Sequence, residues 1–196
     1  MHPTRVLLFL ALSLFCCTSA LAQRPGPEFW RKVGCEPYEP RTKLEAIDER
    51  HSTVIVKAFT RITTIEVRGV RIDAVDMREM GGATRARGIV ISLREEGGRA
   101  DDNRAFVDYE EIDPLLNAID AIVRVDETMT RLPGFEARYK TLGDLEIGVF
   151  RQTRSGAAVS LTTGICDRAT QTMTLDDLAK VKAMLQEAKT RLDEIK

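Results

Sequence analysis

The stretch Ala105–Val125, AFVDYEEIDPLLNAIDAIVRV, changes from one kind of secondary structure to another. Its first residues, as far as Asp108, have the aromatic and β-branched composition of a strand. From Ile112 to Val123 apolar residues recur at spacings of three and four, which predicts an amphipathic helix. Acidic residues lie between the two segments: Asp108, Glu110, Glu111 and Asp113. The fold therefore depends on how this strand-to-helix junction is built.

The start of the helix has two interpretations. Asp108 and Glu111 have the spacing of a capping box, whereas Asp113 before Pro114 has the pattern of an N-cap and a first helical residue. A tight turn over Tyr109–Ile112 that leads into a helix from Pro114 accommodates both. Paired carboxylates also serve glycosidases, but a negative charge at a helix start stabilises the helix by about 0.3–1 kcal/mol without any catalysis. We therefore interpret these carboxylates as helix-start residues.

A similar junction returns near the C-terminus. The sequence YEEI at 109–112 aligns with LDDL at 175–178, where a second amphipathic helix follows and Thr174 and Asp177 have N-cap spacing. The upstream segments suggest an order of ββββα followed by βββα, which is the signature of an internal duplication.

Alternating and β-branched patterns predict the strands. They place two or three strands in Thr53–Met80 and further strands in Gly88–Glu95, Ala105–Asp108, Phe135–Lys140, Leu145–Gln152 and Ala157–Thr163. The expected fold class is α+β, with an antiparallel sheet of about seven strands and two amphipathic helices packed against it.

The N-terminus has the pattern of a secretory signal. Arg5 precedes the apolar run Val6–Phe15, and small residues including Ala20 and Ala22 follow, so cleavage is expected after Ala22. No later segment approaches the ~20 apolar residues of a membrane span. The expected organisation is a signal peptide at 1–22, an extended, proline-containing lead-in at 23–51 and a single α+β domain at 52–196, with a periplasmic or extracellular location.

The four cysteines fall into two groups. Cys16 and Cys17 lie in the signal, where Phe15 disfavours lipidation because the preceding position needs a small residue. Cys35 and Cys166 remain in the exported chain, where an even pair can form a disulfide worth ~4 kcal/mol in the chain-entropy model. Two unpaired or buried thiols are the alternative, because sequence does not give their separation.

Motifs for catalysis, cofactors and metals are missing from the sequence. It has no HExxH, GxSxG, CxxC, phosphate-binding loop or DxDxDG pattern. We interpret His51 as a surface histidine and Asp101-Asp102-Asn103 as a solvated turn rather than a calcium site. The arginines Arg78, Arg85 and Arg87 flank Gly81-Gly82 but are balanced by nearby glutamates. No catalytic, cofactor-binding or metal-binding residue is predicted.

The balance of charged residues indicates which classes of binding partner to expect. With 29 basic and 30 acidic residues, the chain gives no electrostatic reason to expect nucleic acid or an anionic membrane. The segments VDYEEIDPLLNAIDAI and FEARYKTLGDLEIGVF resemble a loose group of small exported bacterial proteins of unknown function. The duplicated ββββα order also looks like the Whirly and PUR families, a resemblance that implies single-stranded nucleic-acid binding on the sheets.

These observations together favour an exported, non-enzymatic binding or interaction module. Its partner would be a protein or small molecule of the cell envelope, and self-association through sheet edges or faces is left open. A carboxylate-dependent hydrolase is the second hypothesis, and a Whirly-like single-stranded nucleic-acid binder is the third.

Intact-mass measurement tests the exported form. Protein recovered from an oxidising compartment is expected to begin at Gln23, since a signal peptidase cleaves after small residues such as Ala22. The same measurement under non-reducing conditions decides the fate of Cys35 and Cys166. Two free thiols in that sample would exclude their disulfide.

Overall fold

The computed structural model describes residues 39–94, 103–125, 134–151, 157–164 and 168–195, which form eight strands and three α-helices. The strands of the first sheet are β1 (Ile55–Arg61), β2 (Val70–Glu79), β3 (Arg85–Leu93) and β4 (Arg104–Asp108). Those of the second sheet are β5 (Phe135–Lys140), β6 (Glu146–Arg151), β7 (Ala158–Thr163) and β8 (Ala169–Met173). The helices are α1 (Lys43–Asp48), α2 (Ile112–Val123) and α3 (Leu175–Asp193).

Both sheets are antiparallel, and their strands pair in chain order. The α+β class is confirmed, but the expectation of one sheet with about seven strands is wrong, because eight strands form two sheets of four. The missing strand is β8, ATQTM, whose polar residues conceal its alternation. The order ββββα occurs twice, since α2 follows β4 and α3 follows β8. None of the helices in the described part of the chain is both long and apolar enough to cross a membrane.

The two helices that follow the sheets are exchanged between them. Helix α2 follows the first sheet but packs against β5 and β6 of the second, whereas α3 follows the second sheet and packs mainly against β2 and β3 of the first. The two helices also contact each other. Each sheet therefore buries its apolar face largely with the helix that the other half of the chain supplies.

This exchange creates one shared core. The core contains Ile72, Ile89 and Ile91 from the first sheet together with Ile147 and Leu161 from the second. Helix residues fill the space between them, and among the most buried are Ile112, Leu115 and Ile119 of α2 and Leu178, Val181 and Leu185 of α3. Burying one such side chain contributes about 1.5–3 kcal/mol, so the core accounts for most of the favourable free energy of folding.

We call the face of the first sheet that contacts this shared core the inner face, and the opposite face the outer face. Helix α1 packs on the outer face through Leu44 and Ile47, which meet Val75, Met77 and Val90. Thr42 caps α1 in a complete capping box with Glu45. Because α1 is only six residues long, it covers part of the outer face and leaves the rest open.

A close backbone contact joins β4 to the turn between β5 and β6. The Phe106 N–H donates to the Gly143 carbonyl oxygen at 3.0 Å. A Cβ at Gly143 would lie 2.0 Å from the Phe106 carbonyl oxygen, so only glycine fits. The next residue, Asp144, has a φ of 61°. The turn at Gly143-Asp144 thus covers part of the edge of β4 that does not pair with β3.

The exchange predicts that neither half of the chain folds alone. A fragment of residues 39–125 lacks α3, and a fragment of residues 134–196 lacks α2, so each exposes a sheet face of apolar side chains. We expect each fragment alone to lack a cooperative thermal transition by circular dichroism, and an equimolar mixture to recover one. A cooperative transition in either isolated fragment would contradict the shared core.

Candidate ligand-binding hollow on the outer face

The acidic residues at the junction between β4 and α2 have structural roles. Both carboxylate oxygens of Asp108 accept hydrogen bonds from the first turn of α1, from the Lys43 N–H at 2.8 Å and the Leu44 N–H at 3.1 Å. Tyr109–Glu111 forms a 3₁₀ turn and α2 begins at Ile112, so the expected tight turn is confirmed but a helix start at Pro114 is wrong. Neither Asp108 nor Glu111 caps α2 through its side chain, because Asp108 accepts from α1 and Glu111 accepts from the Leu142 N–H.

The corresponding junction before α3 behaves as the sequence predicts. Thr174 is the N-cap, and its hydroxyl oxygen accepts from the Asp177 N–H at 3.1 Å. The Thr174 hydroxyl also donates to the Asp177 carboxylate at 2.9 Å. Asp108 and Thr174 thus occupy equivalent positions in the two units. Asp108 accepts hydrogen bonds from α1, whereas Thr174 caps α3, the helix that it precedes.

Glu111 is the one carboxyl of the first junction with an unusual environment. One oxygen accepts from the Leu142 N–H at 2.9 Å, and the other is buried without a hydrogen-bond partner among the described residues. Burial raises the pKa of Glu111, and the charges of Asp108 and Glu45 add to that increase against the opposing effect of the Leu142 hydrogen bond. Burial, followed by the charge of Glu111, also raises the pKa of Tyr139.

A raised pKa alone does not form a catalytic pair. Glycoside hydrolysis needs a second carboxylate across a cleft, and the nearby Asp108 is committed to the backbone of α1. The two hollows described below are lined by other residues. The junction therefore holds α1, the 3₁₀ turn and the β5–β6 turn together.

The other residues singled out by sequence are dispersed. His51 is exposed at the start of the first sheet. Asn103 is buried, and its carbonyl oxygen accepts from the Thr163 hydroxyl at 2.9 Å, so the expected solvated turn is wrong at this residue. Residues 1–22, Cys35, Asp101, Asp102 and Cys166 lie outside the described residues. In the described ranges no group of three or more His, Cys, Asp or Glu side chains is arranged to hold a metal ion.

The three arginines near Gly81-Gly82 have structural partners. Arg78 and Arg85 both donate to the buried Asp76, at 3.0 Å and 2.8 Å for the shortest contact of each. Burial by itself raises the pKa of Asp76, but the hydrogen bonds from Arg85 and Arg78 outweigh it and lower the pKa below its ordinary value. Arg87 lies over the Tyr109 ring at 4.9 Å and donates to the Ile195 carbonyl oxygen at the end of α3.

A hollow of about 250 Å³ lies on the part of the outer face that α1 leaves open, and we refer to it below as the hollow. Val75, Val90 and Asp73 form its floor and are almost fully buried. Its rim consists of Lys57 and Phe59 on β1, Arg71 on β2, Ser92 on β3 and Arg104 on β4. Phe59 is 59% exposed and is the aromatic ring available to a ligand there. A second hollow, of about 560 Å³, is formed mainly by the loop between β1 and β2.

Positive charge exceeds negative charge around the hollow. Asp73 accepts from Arg61 at 3.1 Å and from Arg71 at 2.8 Å. Asp48, the last residue of α1, lies 3.7 Å from the Lys57 amine and 3.8 Å from the Arg104 guanidinium. Each carboxylate is therefore shared by two cations, and four cations against two carboxylates leave two positive charges uncompensated among the described residues.

The sequence signal for this hollow is an alternation of residues along two strands rather than a motif. Lys57, Phe59 and Arg61 alternate along β1, and Arg71 and Asp73 alternate along β2. In a strand whose other face is apolar, such alternation marks a solvated face. The sequence does not say which strands are neighbours, so it could not bring Arg71, Ser92 and Arg104 together.

In comparisons of sequence and structure, no protein-family model, curated protein or solved structure matches this chain. Its function is therefore inferred from the geometry of the chain itself.

The contrast between Glu111 and Glu110 can be tested by neutralising each. The pKa of Glu111 is raised in the fold, so Glu111→Gln removes an unfavourable buried charge and is expected to increase the free energy of unfolding at pH 7 by about 0.5 kcal/mol. This gain in the free energy of unfolding is complete at pH values above the pKa of Glu111 in the folded state. It disappears below the pKa of about 4.3 that a glutamate has in the unfolded chain. Urea unfolding at pH 7 and at pH 3.5 measures the difference.

Glu110→Gln is the matched control and has the opposite sign. A hydrogen bond from the Lys43 amine, at 2.6 Å, lowers the pKa of Glu110, so the variant is expected to be less stable at pH 7. The loss of stability caused by Glu110→Gln should disappear as the pH falls through the pKa that Glu110 has in the folded state. A gain of equal size for both variants would contradict the environment assigned to Glu111.

Proposed function

We propose that this protein is an exported, non-enzymatic binding module whose ligand occupies the hollow on the outer face. The observation that supports this most directly is the combination of an exposed aromatic ring, two valines in the floor and uncompensated positive charge in one concave region. Binding sites are typically concave and mainly apolar, with a few polar groups that orient the ligand. The signal pattern at 1–22 supports a site of action in the cell envelope.

The arrangement of the sheet favours binding over catalysis. Arg61 and Arg71 are hydrogen-bonded to Asp73, and Lys57 and Arg104 lie close to Asp48, so these cations are partly oriented before a ligand arrives. Such preorganisation improves affinity because less side-chain entropy is lost on binding. Among the described residues, no histidine or cysteine lines the hollow to act as a general base or a nucleophile. This geometry supports recognition of a ligand without a reaction on it.

A single-stranded nucleic acid fits the hollow less well than a small molecule does. Single-strand binders stack successive bases on several aromatic side chains along a basic groove. Here α1 covers part of the outer face, and Phe106, the other ring on this part of the sheet, is largely buried beneath Arg104. The volume of the hollow, about 250 Å³, is below the ~300–1,000 Å³ of sites for drug-sized ligands. We therefore propose a small ligand.

The repeated order of elements supports a second, separate proposal about the origin of the chain. We propose that the two ββββα units derive from an internal duplication, as the alignment of 109–112 with 175–178 suggests. The exchange of α2 and α3 between the sheets supports it, because the two units make reciprocal contacts.

Titration of the mature chain with small aromatic probes tests the proposed function. We expect phenyl phosphate, benzoate or benzyl alcohol to shift amide NMR signals of the outer-face strands, and not those of the second sheet. Phe59→Ala is expected to weaken that binding, because the ring is the exposed apolar surface of the hollow. Thr60→Ala is the matched control, since Thr60 is the next exposed residue of β1 and lies on its other face.

Two outcomes would overturn the proposed function. One is that none of the three probes shifts the outer-face signals at millimolar concentration. The other is that Phe59→Ala and Thr60→Ala change binding equally, since a probe in the hollow must distinguish the two faces of β1.

A further inference from the structure

Three residues of the hollow form a row across neighbouring strands. Arg71 on β2 is directly opposite Ser92 on β3, and Ser92 is directly opposite Arg104 on β4. Residues that are opposite in an antiparallel pair project from the same face. With neighbouring strands about 4.8 Å apart, the two arginine backbones lie roughly 10 Å apart on either side of a hydroxyl. Long guanidinium side chains can converge over the serine from that separation.

Arg71 is oriented by Asp73 and keeps donors for a ligand. Its Nε and Nη2 groups both lie 2.8 Å from the same Asp73 oxygen. A guanidinium group has five N–H donors in a fixed plane, so the donors of Nη1 remain for another acceptor. The Asp73 side chain is only 8% exposed, whereas that of Arg71 is 45% exposed. The aspartate is thus a buried support, and the arginine presents its outer edge to solvent.

Arg104 is held in place mainly by a ring. Its guanidinium lies 5.7 Å from the centroid of the Phe106 ring, within the range of a cation–π contact. The separation of 3.8 Å between its Nη1 and the nearer Asp48 oxygen is too long for a hydrogen bond. Arg104 therefore has a defined position while its N–H donors stay available.

We propose that the row Arg71–Ser92–Arg104 binds the oxyanion, a carboxylate or a phosphate, of a small ligand whose apolar ring rests on Val90 and against Phe59. This inference rests on the proposed function and adds the chemical class of the ligand. Val90 lies one same-face step, about 7 Å, along β3 from Ser92, so a ring joined to an oxyanion at the serine can extend toward Val90. The small volume of the hollow matches a ligand with one ring.

The number of uncompensated charges distinguishes the two kinds of oxyanion. Two positive charges remain around the hollow after Asp48 and Asp73 are counted. A phosphate monoester bears about two negative charges at neutral pH, whereas a carboxylate bears one. We therefore expect phenyl phosphate to bind more tightly than benzoate, and benzoate more tightly than the neutral benzyl alcohol.

Calorimetric titration of the mature chain with these three probes tests the inference. Arg71→Gln and Arg104→Gln are each expected to weaken phenyl phosphate binding about tenfold, the effect of losing one charge-assisted hydrogen bond. Arg78→Gln is the matched control: it also removes an arginine that pairs with a buried aspartate of β2, but on the inner face. Its binding is expected to stay within about twofold of the unchanged chain.

Salt dependence provides a measurement that needs no variant. Phenyl phosphate binding by the unchanged chain is expected to weaken between 50 and 500 mM NaCl, roughly an interval over which the Debye length falls severalfold. Benzyl alcohol binding should not weaken. This readout applies even if an arginine variant does not fold.

The outcomes separate this inference from the proposed function. If benzyl alcohol binds in the hollow as tightly as phenyl phosphate, the oxyanion site is wrong and the binding function stands. The oxyanion site is also wrong if Arg71→Gln, Arg104→Gln and Arg78→Gln have equal effects. If no probe binds in the hollow, both proposals fail.

Discussion

The exchange of α2 and α3 between the two sheets is the constraint on which the rest of the structure depends. A four-stranded sheet with one apolar face needs a partner layer, and here the chain supplies that layer from the opposite half. The shared core consequently includes residues far apart in sequence, such as Ile72 and Leu185. Long-range closure of this kind is slow to form, but it gives one cooperative unit once α3 is in place. The outer face of the first sheet stays partly open because α3, the long helix that packs on this sheet, lies on its inner face.

Strand β2 uses two buried aspartates to hold arginines on its two faces. Asp76 binds Arg78 and Arg85 near the inner-face end, while Asp73 binds Arg61 and Arg71 on the outer face. A buried carboxylate without partners would be costly, so each aspartate requires its pair of cations. The outer-face set borders the hollow, where the excess charge is accessible to a ligand.

Much of the local structure could be predicted from sequence, and most of the arrangement could not. Strand β5 agrees with its prediction because FEARYK alternates strictly between half-buried and exposed residues. Helix α3 has its predicted Thr174 cap because the cap depends on neighbouring residues alone. Strand β8 was missed because its pairing with β7, rather than any apolar pattern of its own, places it in the sheet. The division into two sheets follows from the contacts of α2 and α3, which no local pattern encodes.

The hollow itself results from the length of α1. Only Leu44 and Ile47 of this helix are directed into the sheet, and Gly88 allows the close approach, since a Cβ there would lie 2.8 Å from a Leu44 methyl group. The helix ends at Asp48, whose carboxylate reaches toward Lys57 on β1 and Arg104 on β4. A helix one turn longer would extend about 5 Å further over the sheet. Asp48 therefore has two roles. It ends the helix that covers the outer face, and its charge attracts the cations Lys57 and Arg104 beside the hollow.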